Sequence, residues 1–233
     1  MLILLVAAGC GSSDKSEEYY NAGVELQKQG HMEEAIAEFD EAISINPRNA
    51  DAYFNRGFAY FYMEDLEQAI ANYDEVIRIS PEDSDAYFNR GLTYFYMDEL
   101  EQAIANYDEV IRISPEDSGA YLARGDAYAD LDELEKAIAD YDETISINPD
   151  SANAYINRGL AYFYLDDFEQ AIADYNEAIN IDPDAADAYG SRALANTALG
   201  NEQEAEQDFE KAVELGFDAD LLNSIIEEWK SEQ

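Results

Sequence analysis

Few residues in this chain have the types and spacing that catalysis or metal binding requires. It contains one histidine, His31, and one cysteine, Cys10. A single residue of each kind supplies neither a His/Cys metal cluster nor a Cys–His catalytic pair within the fold, and one cysteine forms no internal disulfide. Acidic residues are abundant, but they include no DxDxDG-type calcium loop, and no pair stands out as general acid and base. We therefore expect no enzymatic activity, no metal and no cofactor.

The chain is strongly acidic and yet rich in apolar residues. It carries 53 Asp and Glu against 13 Lys and Arg, a formal net charge of -40, while 47% of its residues are hydrophobic and 12% aromatic. Enough apolar surface is therefore present to form a folded core. The charge repels polyphosphates, so we expect neither nucleic acid nor an anionic membrane surface as a partner. The acidity is explained equally well by a partner with a basic, apolar segment and by adaptation to a saline habitat.

The position of Cys10 suggests a different kind of chemistry. It ends the apolar run MLILLVAAGC, in which small residues directly precede the cysteine, and the polar stretch GSSDKSEE follows. The run is far too short to span a bilayer as a helix. It resembles a bacterial lipoprotein signal, whose small residues fit a peptidase cleft and whose cysteine thiol takes a diacylglycerol.

This resemblance implies that residues 1–9 are a signal, that Cys10 is lipidated, and that residues 10–15 form a tether. The protein then lies at the cell envelope and meets the membrane only through its lipid anchor. Gly11 stands where many such lipoproteins have an aspartate that retains them at the inner membrane, so we expect the outer membrane or its periplasmic face. The alternative is an apolar N-terminus without signal function, which would leave the protein in the cytoplasm.

From Ser16 onward the sequence repeats every 34 residues. A tyrosine, a glycine and an alanine recur at fixed positions of each repeat, and all five prolines occupy one position. These columns are Tyr19, Tyr53, Tyr87, Tyr121, Tyr155 and Tyr189; Gly23, Gly57, Gly91, Gly125 and Gly159, with Ala193; Ala35, Ala69, Ala103, Ala137, Ala171 and Ala205; and Pro47, Pro81, Pro115, Pro149 and Pro183. A fixed period of this length is typical of stacked helical repeats.

The columns resemble those of the tetratricopeptide repeat over residues 16–217. This resemblance implies an all-α fold, an α-α superhelix in which helix-turn-helix repeats stack as a solenoid. Glycine on the first helix and alanine on the second allow a close approach, and proline ends the second helix. Since no flexible linker interrupts the repeats, we interpret them as one domain. The six repeats are expected at 16–49, 50–83, 84–117, 118–151, 152–185 and 186–217.

A capping helix is expected after the last repeat, at residues 218–230. Apolar residues share one face of this helix, which would cover the open end of the stack. They are Leu221, Leu222, Ile225, Ile226 and Trp229.

The first helix of each repeat is predicted to be apolar on two faces. In the second repeat Tyr53 and Gly57 share one side at about 100° per residue, and Phe54 and Phe58 lie on the other. Only one side can meet the partner helix. In tetratricopeptide repeats the other side lines a concave groove that binds peptide segments, so the resemblance implies that role here. The candidate groove residues are Asn21, Asp51, Phe54, Asn55, Phe58, Phe61, Asp85, Phe88, Asn89, Leu92, Phe95, Ile156, Asn157 and Phe163.

Four further expectations concern polar residues and packing. The asparagines of the groove can bond to an extended peptide backbone whatever its sequence. The fourth repeat breaks the aromatic series with Asp126 and Asp130, which make a smaller, acidic notch. About half of the groove-face side chains are also expected to pack merely against neighbouring first helices. One arginine per repeat flanks the core stripe and is expected to pair with second-helix acids such as Asp74 or Asp108. These arginines are Arg56, Arg90, Arg124, Arg158 and Arg192.

Together these patterns favour a non-catalytic adaptor that captures a peptide or helical segment of an envelope protein. The chain resembles tetratricopeptide lipoproteins that serve as pilotins for pilus secretins or recruit cell-wall hydrolases, and nothing in the sequence selects between these roles. Two alternatives stay open. One is a self-associating structural module, and the other is a glycan or small-molecule binder that uses the aromatic groove.

Overall fold

The computed structural model describes the backbone of residues 7–232 and the side chains of residues 15–227. Over this range the chain is helical and contains no strand, which confirms the predicted all-α fold. The helices are α1 (Ala7–Lys28), α2 (Met32–Ile45), α3 (Ala50–Tyr62), α4 (Leu66–Ile79), α5 (Ser84–Tyr96), α6 (Leu100–Ile113), α7 (Ser118–Asp130), α8 (Leu134–Ile147), α9 (Ala152–Tyr164), α10 (Phe168–Ile181), α11 (Ala186–Ala198), α12 (Glu202–Glu214) and α13 (Ala219–Glu232).

The helices form consecutive pairs, and the pairs stack within two compact units. The N-terminal unit, Met1–Pro115, holds α1 to α6, and the C-terminal unit, Glu116–Gln233, holds α7 to α13. In each unit an odd-numbered helix packs on the even-numbered helix that follows it, and this second helix packs on the first helix of the next pair. The domain boundaries drawn from the sequence stay a prediction.

The core of each of the first five pairs contains a contact between a glycine and an aromatic ring. Gly91 on α5 shows the geometry, because a Cβ placed there would lie 2.8 Å from the Tyr107 ring of α6 and 3.1 Å from the Cβ of Asn106. Tyr107 is itself only 1% exposed. The expected close approach is confirmed, and the second-helix aromatic ring is what fills the space left by glycine.

Side-chain caps and left-handed residues mark the turns inside the repeats. The carboxylates of Asp65 and Asp167 cap the second helices of their repeats by accepting hydrogen bonds from the backbone N–H of Gln68 (3.4 Å) and Gln170 (3.3 Å). Just before each second helix the chain takes a positive φ, which L-residues other than glycine adopt at some cost. These residues are Gly30 (82°), Glu64 (62°), Asp98 (59°), Asp132 (59°), Asp166 (60°) and Gly200 (75°).

The two ends of the chain depart in detail from the sequence-based expectation. Helix α1 extends back to Ala7, so residues 10–15 are helical where a tether is expected, and no proline interrupts them. Residues 1–6, and the side chain of Cys10, lie outside the described part. None of the described helices is long and apolar enough to cross a membrane.

Helix α13 covers the last pair only in part. Leu222 is 2% exposed, whereas Leu221 and Ile225 are 53% and 36% exposed. The reason is helical geometry, since positions 221 and 225 share a side of the helix that differs from the side of position 222. The side chain of Trp229 lies outside the described residues.

Candidate functional site

The candidate groove residues all lie on the first helices of their repeats, and their exposure differs widely. The exposed residues are Asn21, Asp51 and Asp85. The partly exposed residues are Phe54, Asn55, Phe58, Phe61, Phe88, Asn89, Leu92, Phe95, Ile156 and Asn157. The last of the set, Phe163, is buried. Most of this face is therefore accessible to solvent, although few of its large side chains are fully so.

In the N-terminal unit the ends of α3 and α5 form a connected group of rings, which we call the aromatic patch. It consists of Phe58, Phe61, Tyr62, Phe95 and Tyr96. Ring centroids lie 4.6 Å apart for Phe58 and Tyr62, 5.3 Å for Phe61 and Tyr96, and 6.5 Å for Phe95 and Tyr96. Tyr62 and Tyr96 are 61% and 66% exposed. The patch thus joins two repeats and presents two phenol rings to solvent.

Two other phenylalanines of this face have a mixed role. The rings of Phe54 and Phe88 pack at 5.7 Å from the buried rings of Tyr73 and Tyr107, in their own repeats. One side of each ring therefore belongs to the core, and only the remainder is accessible.

The prediction that Phe163 lines the groove is not supported by its position in the structure. This residue occupies the repeat position of Phe61 and Phe95, yet it is only 6% exposed and belongs to a buried cluster with Tyr175. A neighbour specific to this repeat contributes to its burial: the ring of Phe168 lies 5.2 Å away, where repeats two, three and four have leucine at the start of the second helix. The structure gives Phe163 a packing role.

The groove amides are partly engaged within the protein. The Nδ2 groups of Asn55 and Asn89 donate to the backbone carbonyls of Asp51 (2.9 Å) and Asp85 (2.8 Å), one turn earlier in the same helices. Asn55 also donates to the hydroxyl of Tyr20, at 3.2 Å. These bonds hold the amides against their helices, so their carbonyl oxygens are the groups that can still accept a bond from a ligand.

The predicted notch in the fourth repeat contains a network that links α7, α8 and α9. The Oδ1 atom of Asp126 accepts hydrogen bonds from the hydroxyl of Tyr141, at 2.9 Å, and from Nδ2 of Asn157, at 2.8 Å. Burial raises the pKa of the Asp126 carboxyl, the two hydrogen bonds counteract this effect, and Asp130 adds to the increase. In the same network, burial and the nearby carboxylate raise the pKa of Tyr141.

The repeat arginines pair with second-helix groups, which confirms the expectation for this column. Arg90 bonds to Asp74 of the preceding repeat and, through Nε at 2.8 Å, to Asn106 of its own. Arg158 holds Asp174 with two bonds of 2.8 Å and 2.6 Å and also contacts Asp142. Each arginine also lies over the ring of the tyrosine three residues before it, at 5.3–5.6 Å. Their charges are therefore neutralised inside the stack.

Sequence reasoning missed the own-repeat partners of these arginines. They form a column of their own, sixteen residues after each arginine and next to the core aromatic residue, consisting of Asn72, Asn106, Asp140, Asp174 and Asp208. The signal was present, since a polar residue recurs at a position that the helical pattern places beside the core. The last three members are carboxylates that are 5–6% exposed and held bidentately by their arginines.

Two of the exposed candidates line a polar cleft at the start of the N-terminal unit. Asn21 and Asp51 share an open space of about 520 Å³ with Arg48, Asn46 and Asn49. Nothing in the described part of the chain gathers three or more His, Cys, Asp or Glu side chains into a metal-binding arrangement.

The fold and these sites define an all-α repeat protein with a partly apolar, accessible face on its first helices. The chain belongs to the tetratricopeptide repeat family, whose members are typically non-catalytic scaffolds for protein–protein interaction. The model described as "TPR repeat" matches half of the chain, at residues 23–64, 59–98 and 125–166. Two models described as "Tetratricopeptide repeat" match residues 84–117, 152–185 and 186–215. No curated protein sequence matches the chain significantly.

Many solved structures resemble this fold. A crystal structure of the MamA protein is 28% identical, with a TM-score of 0.66, over 71% of this chain and 91% of that one. YrrB, described as a TPR protein with an unusual peptide-binding site, is 24% identical with a TM-score of 0.64, over 73% and 88%. PilF of Pseudomonas aeruginosa is 15% identical with a TM-score of 0.77, over 96% and 100%. The last two likenesses show the fold alone.

Proposed function

We propose that this protein is a non-catalytic scaffold that binds a segment of a partner protein along the first-helix faces of its repeats. The observation that carries the proposal is the aromatic patch. In a chain with a net charge of -40, the rings of Tyr62 and Tyr96 remain more than half exposed and rest on three further aromatic side chains. Exposed apolar groups that adjoin one another and are rimmed by polar residues are typical of interaction sites.

The charge distribution supports a basic partner. The repeat arginines pair with acids or amides inside the stack. Of the other described cations, Lys28, Arg78, Arg112 and Lys211 contact acids on their own helices, as Arg78 contacts Glu75 at 2.7 Å. The accessible face therefore offers a partner rings and carboxylates but few cations. A segment that combines apolar with basic side chains complements both features.

The partner can be identified with a photoreactive phenylalanine analogue placed at Tyr96 in living cells. The matched control carries the analogue at Leu221, which is 53% exposed on α13 and lies outside the aromatic patch. We expect one protein to crosslink at position 96 and not at 221. Binding of that purified partner is then compared for the wild type and the Tyr62→Ala/Tyr96→Ala double variant.

The double variant should bind the partner with at least tenfold lower affinity, because exposed aromatic anchors contribute strongly to interfaces. Its melting temperature should stay nearly unchanged, since both side chains are exposed. Equal affinity of the variant and the wild type for the crosslinked partner would contradict the assignment of the patch.

The finer part of the proposal is an envelope location through a lipid on Cys10. It is supported by the apolar run that ends in small residues before this cysteine. We expect the wild type to partition with membranes and to carry the added mass of the lipid, and Cys10→Ser to lose both. If the variant is processed and partitions like the wild type, the protein is not anchored at this residue.

A further inference from the structure

Asp126 occupies a repeat position that is apolar in the repeats around it. The equivalent residues are Phe58, Leu92 and Leu160. Here a half-buried carboxylate replaces them, and its Oδ1 atom is held by the Tyr141 hydroxyl and the Asn157 amide at 2.9 Å and 2.8 Å. Its second oxygen, Oδ2, accepts no hydrogen bond from the described side chains. The carboxylate is thus oriented by two neutral donors, with one oxygen left over.

Within the described part of the chain, no cation balances the charge of Asp126. The buried carboxylates of the C-terminal unit, by contrast, each pair with an arginine. Asp140 pairs with Arg124 at 2.7 Å, and Asp174 pairs with Arg158 at 2.6 Å. Among the described residues, no lysine or arginine pairs with Asp126. Burial without a cation raises the pKa of this carboxyl, which expresses an energetic cost of keeping it ionised.

Leucine, which occupies this position at Leu92 and Leu160, would avoid that cost, but it would not accept the hydrogen bonds of Tyr141 and Asn157. Along α7, Ala123 and Ala129 precede and follow Asp126 at positions where repeats two, three and five have asparagine and phenylalanine, so the side chains near the carboxylate on this helix are smaller than in those repeats. Helix α9, whose Asn157 bonds to Asp126, also carries accessible apolar side chains: Ile156 is partly exposed and Leu160 is 39% exposed.

We infer that Asp126 is a specificity-determining residue that receives a lysine or arginine side chain of a bound peptide segment, with the segment's apolar residues on Ile156 and Leu160. The inference rests on the proposed function and names the chemistry that the C-terminal unit selects. A cation supplies the missing partner of the half-buried carboxylate, and charge-assisted bonds in such surroundings are strong. The occupant is therefore a basic, apolar segment and not an acidic one.

The test uses the full chain and a phage library of random peptides. Peptides are selected on the wild type and on Asp126→Leu, and we expect lysine or arginine at one position only in the wild-type selection. A synthetic wild-type peptide is then compared with the same peptide carrying methionine in place of that cation. Asp126→Asn keeps an oxygen for Tyr141 and Asn157 and removes only the charge. Binding of the basic peptide to this variant should fall on the order of tenfold to a hundredfold.

A double-mutant cycle makes the result specific. The methionine peptide should lose a similar factor on the wild type and should be insensitive to Asp126→Asn. Glu135→Gln, which removes one charge from an exposed position of α8, is the matched control and should bind the basic peptide within about twofold of the wild type, as expected of a screened surface charge. Asp126→Asn keeps the acceptor of Tyr141 and Asn157 and should melt no lower than the wild type, so its lost binding does not reflect lost structure.

The possible failures are distinguishable. If the wild type selects peptides without an enriched cation, or if Asp126→Asn binds the basic peptide as tightly as the wild type does, the inference is overturned and the proposed function stands. If the wild type selects no peptide sequence at all, and the crosslink at Tyr96 finds no partner, both the inference and the proposed function are contradicted.

Discussion

Glycine-to-alanine substitution at two helical glycines should have opposite effects on stability. At Gly91 on α5, a Cβ would lie 2.8 Å from Cε1 of Tyr107 and 3.1 Å from the Cβ of Asn106. At Gly190 on α11, the nearest atoms would be 3.6 Å and 3.7 Å away, on Phe217 and Leu222, which is ordinary van der Waals contact. The chemical change and the type of element are the same, so the neighbours decide the difference.

The magnitude follows from two opposing contributions. Alanine in place of glycine favours a helix by about 1 kcal/mol at either position. At Gly91 the added methyl group also has to displace a ring that is 1% exposed and confined by its neighbours, and overpacking of this kind costs roughly 1–3 kcal/mol. We therefore expect Gly190→Ala to stabilise the protein by about 0.5–1 kcal/mol. We expect Gly91→Ala to destabilise it by up to about 2 kcal/mol.

Thermal unfolding followed by circular dichroism measures both effects. For a chain of this size, 1 kcal/mol shifts the melting temperature by about 2–4 °C. Gly91→Leu should lower it further, because a branched side chain cannot fit where a methyl group already clashes. The reasoning is refuted if Gly91→Ala melts as high as Gly190→Ala, since the close approach of helix and ring would then not constrain this core.

Three further outcomes are expected. Arg158→Ala leaves the buried carboxylate of Asp174 unpaired and should cost roughly 3–5 kcal/mol in urea unfolding, whereas Arg78→Ala, at an exposed pair, should leave the midpoint nearly unchanged. Because burial raises the pKa of Asp126, ionisation of this carboxyl opposes folding. Asp126→Asn should therefore melt higher than the wild type at neutral pH. This difference should vanish in melts near pH 4, where the carboxyl is largely protonated in the folded protein. Added salt should raise the wild-type melting temperature at neutral pH by screening the net charge of -40, and a melting temperature independent of salt would contradict this.

Much of the fold follows from the sequence because its determinants are local and repeated. The same signals recur every 34 residues. The proline that ends each second helix and the caps at Asp65 and Asp167 affect only residues a few positions away. The close contact at Gly91 can also be predicted, since a small residue recurs on the first helix and an aromatic residue recurs on the second. The pairing of Arg90 with Asp74 could be anticipated for the same reason, because both recur once per repeat.

The candidate site is less predictable, because exposure depends on several helices at once. Phe95 and Phe163 occupy the same repeat position, yet Phe163 is buried since Phe168 lies on it. The helical wheel assigns both to one face and contains no information about the side chain that covers that face. The aromatic patch likewise depends on a ring contact between two repeats, Phe61 with Tyr96 at 5.3 Å.

The sequence by itself therefore determined the family, the helix pairs and the core columns, because each of these depends on spacing along one chain segment. The tertiary structure alone decided which residues of that face remain accessible and how its charges are balanced. Asp126, Tyr141 and Asn157 show the reason. Their hydrogen bonds connect residues 15 and 31 positions apart, and the burial that raises the pKa of Asp126 arises only when three helices pack together.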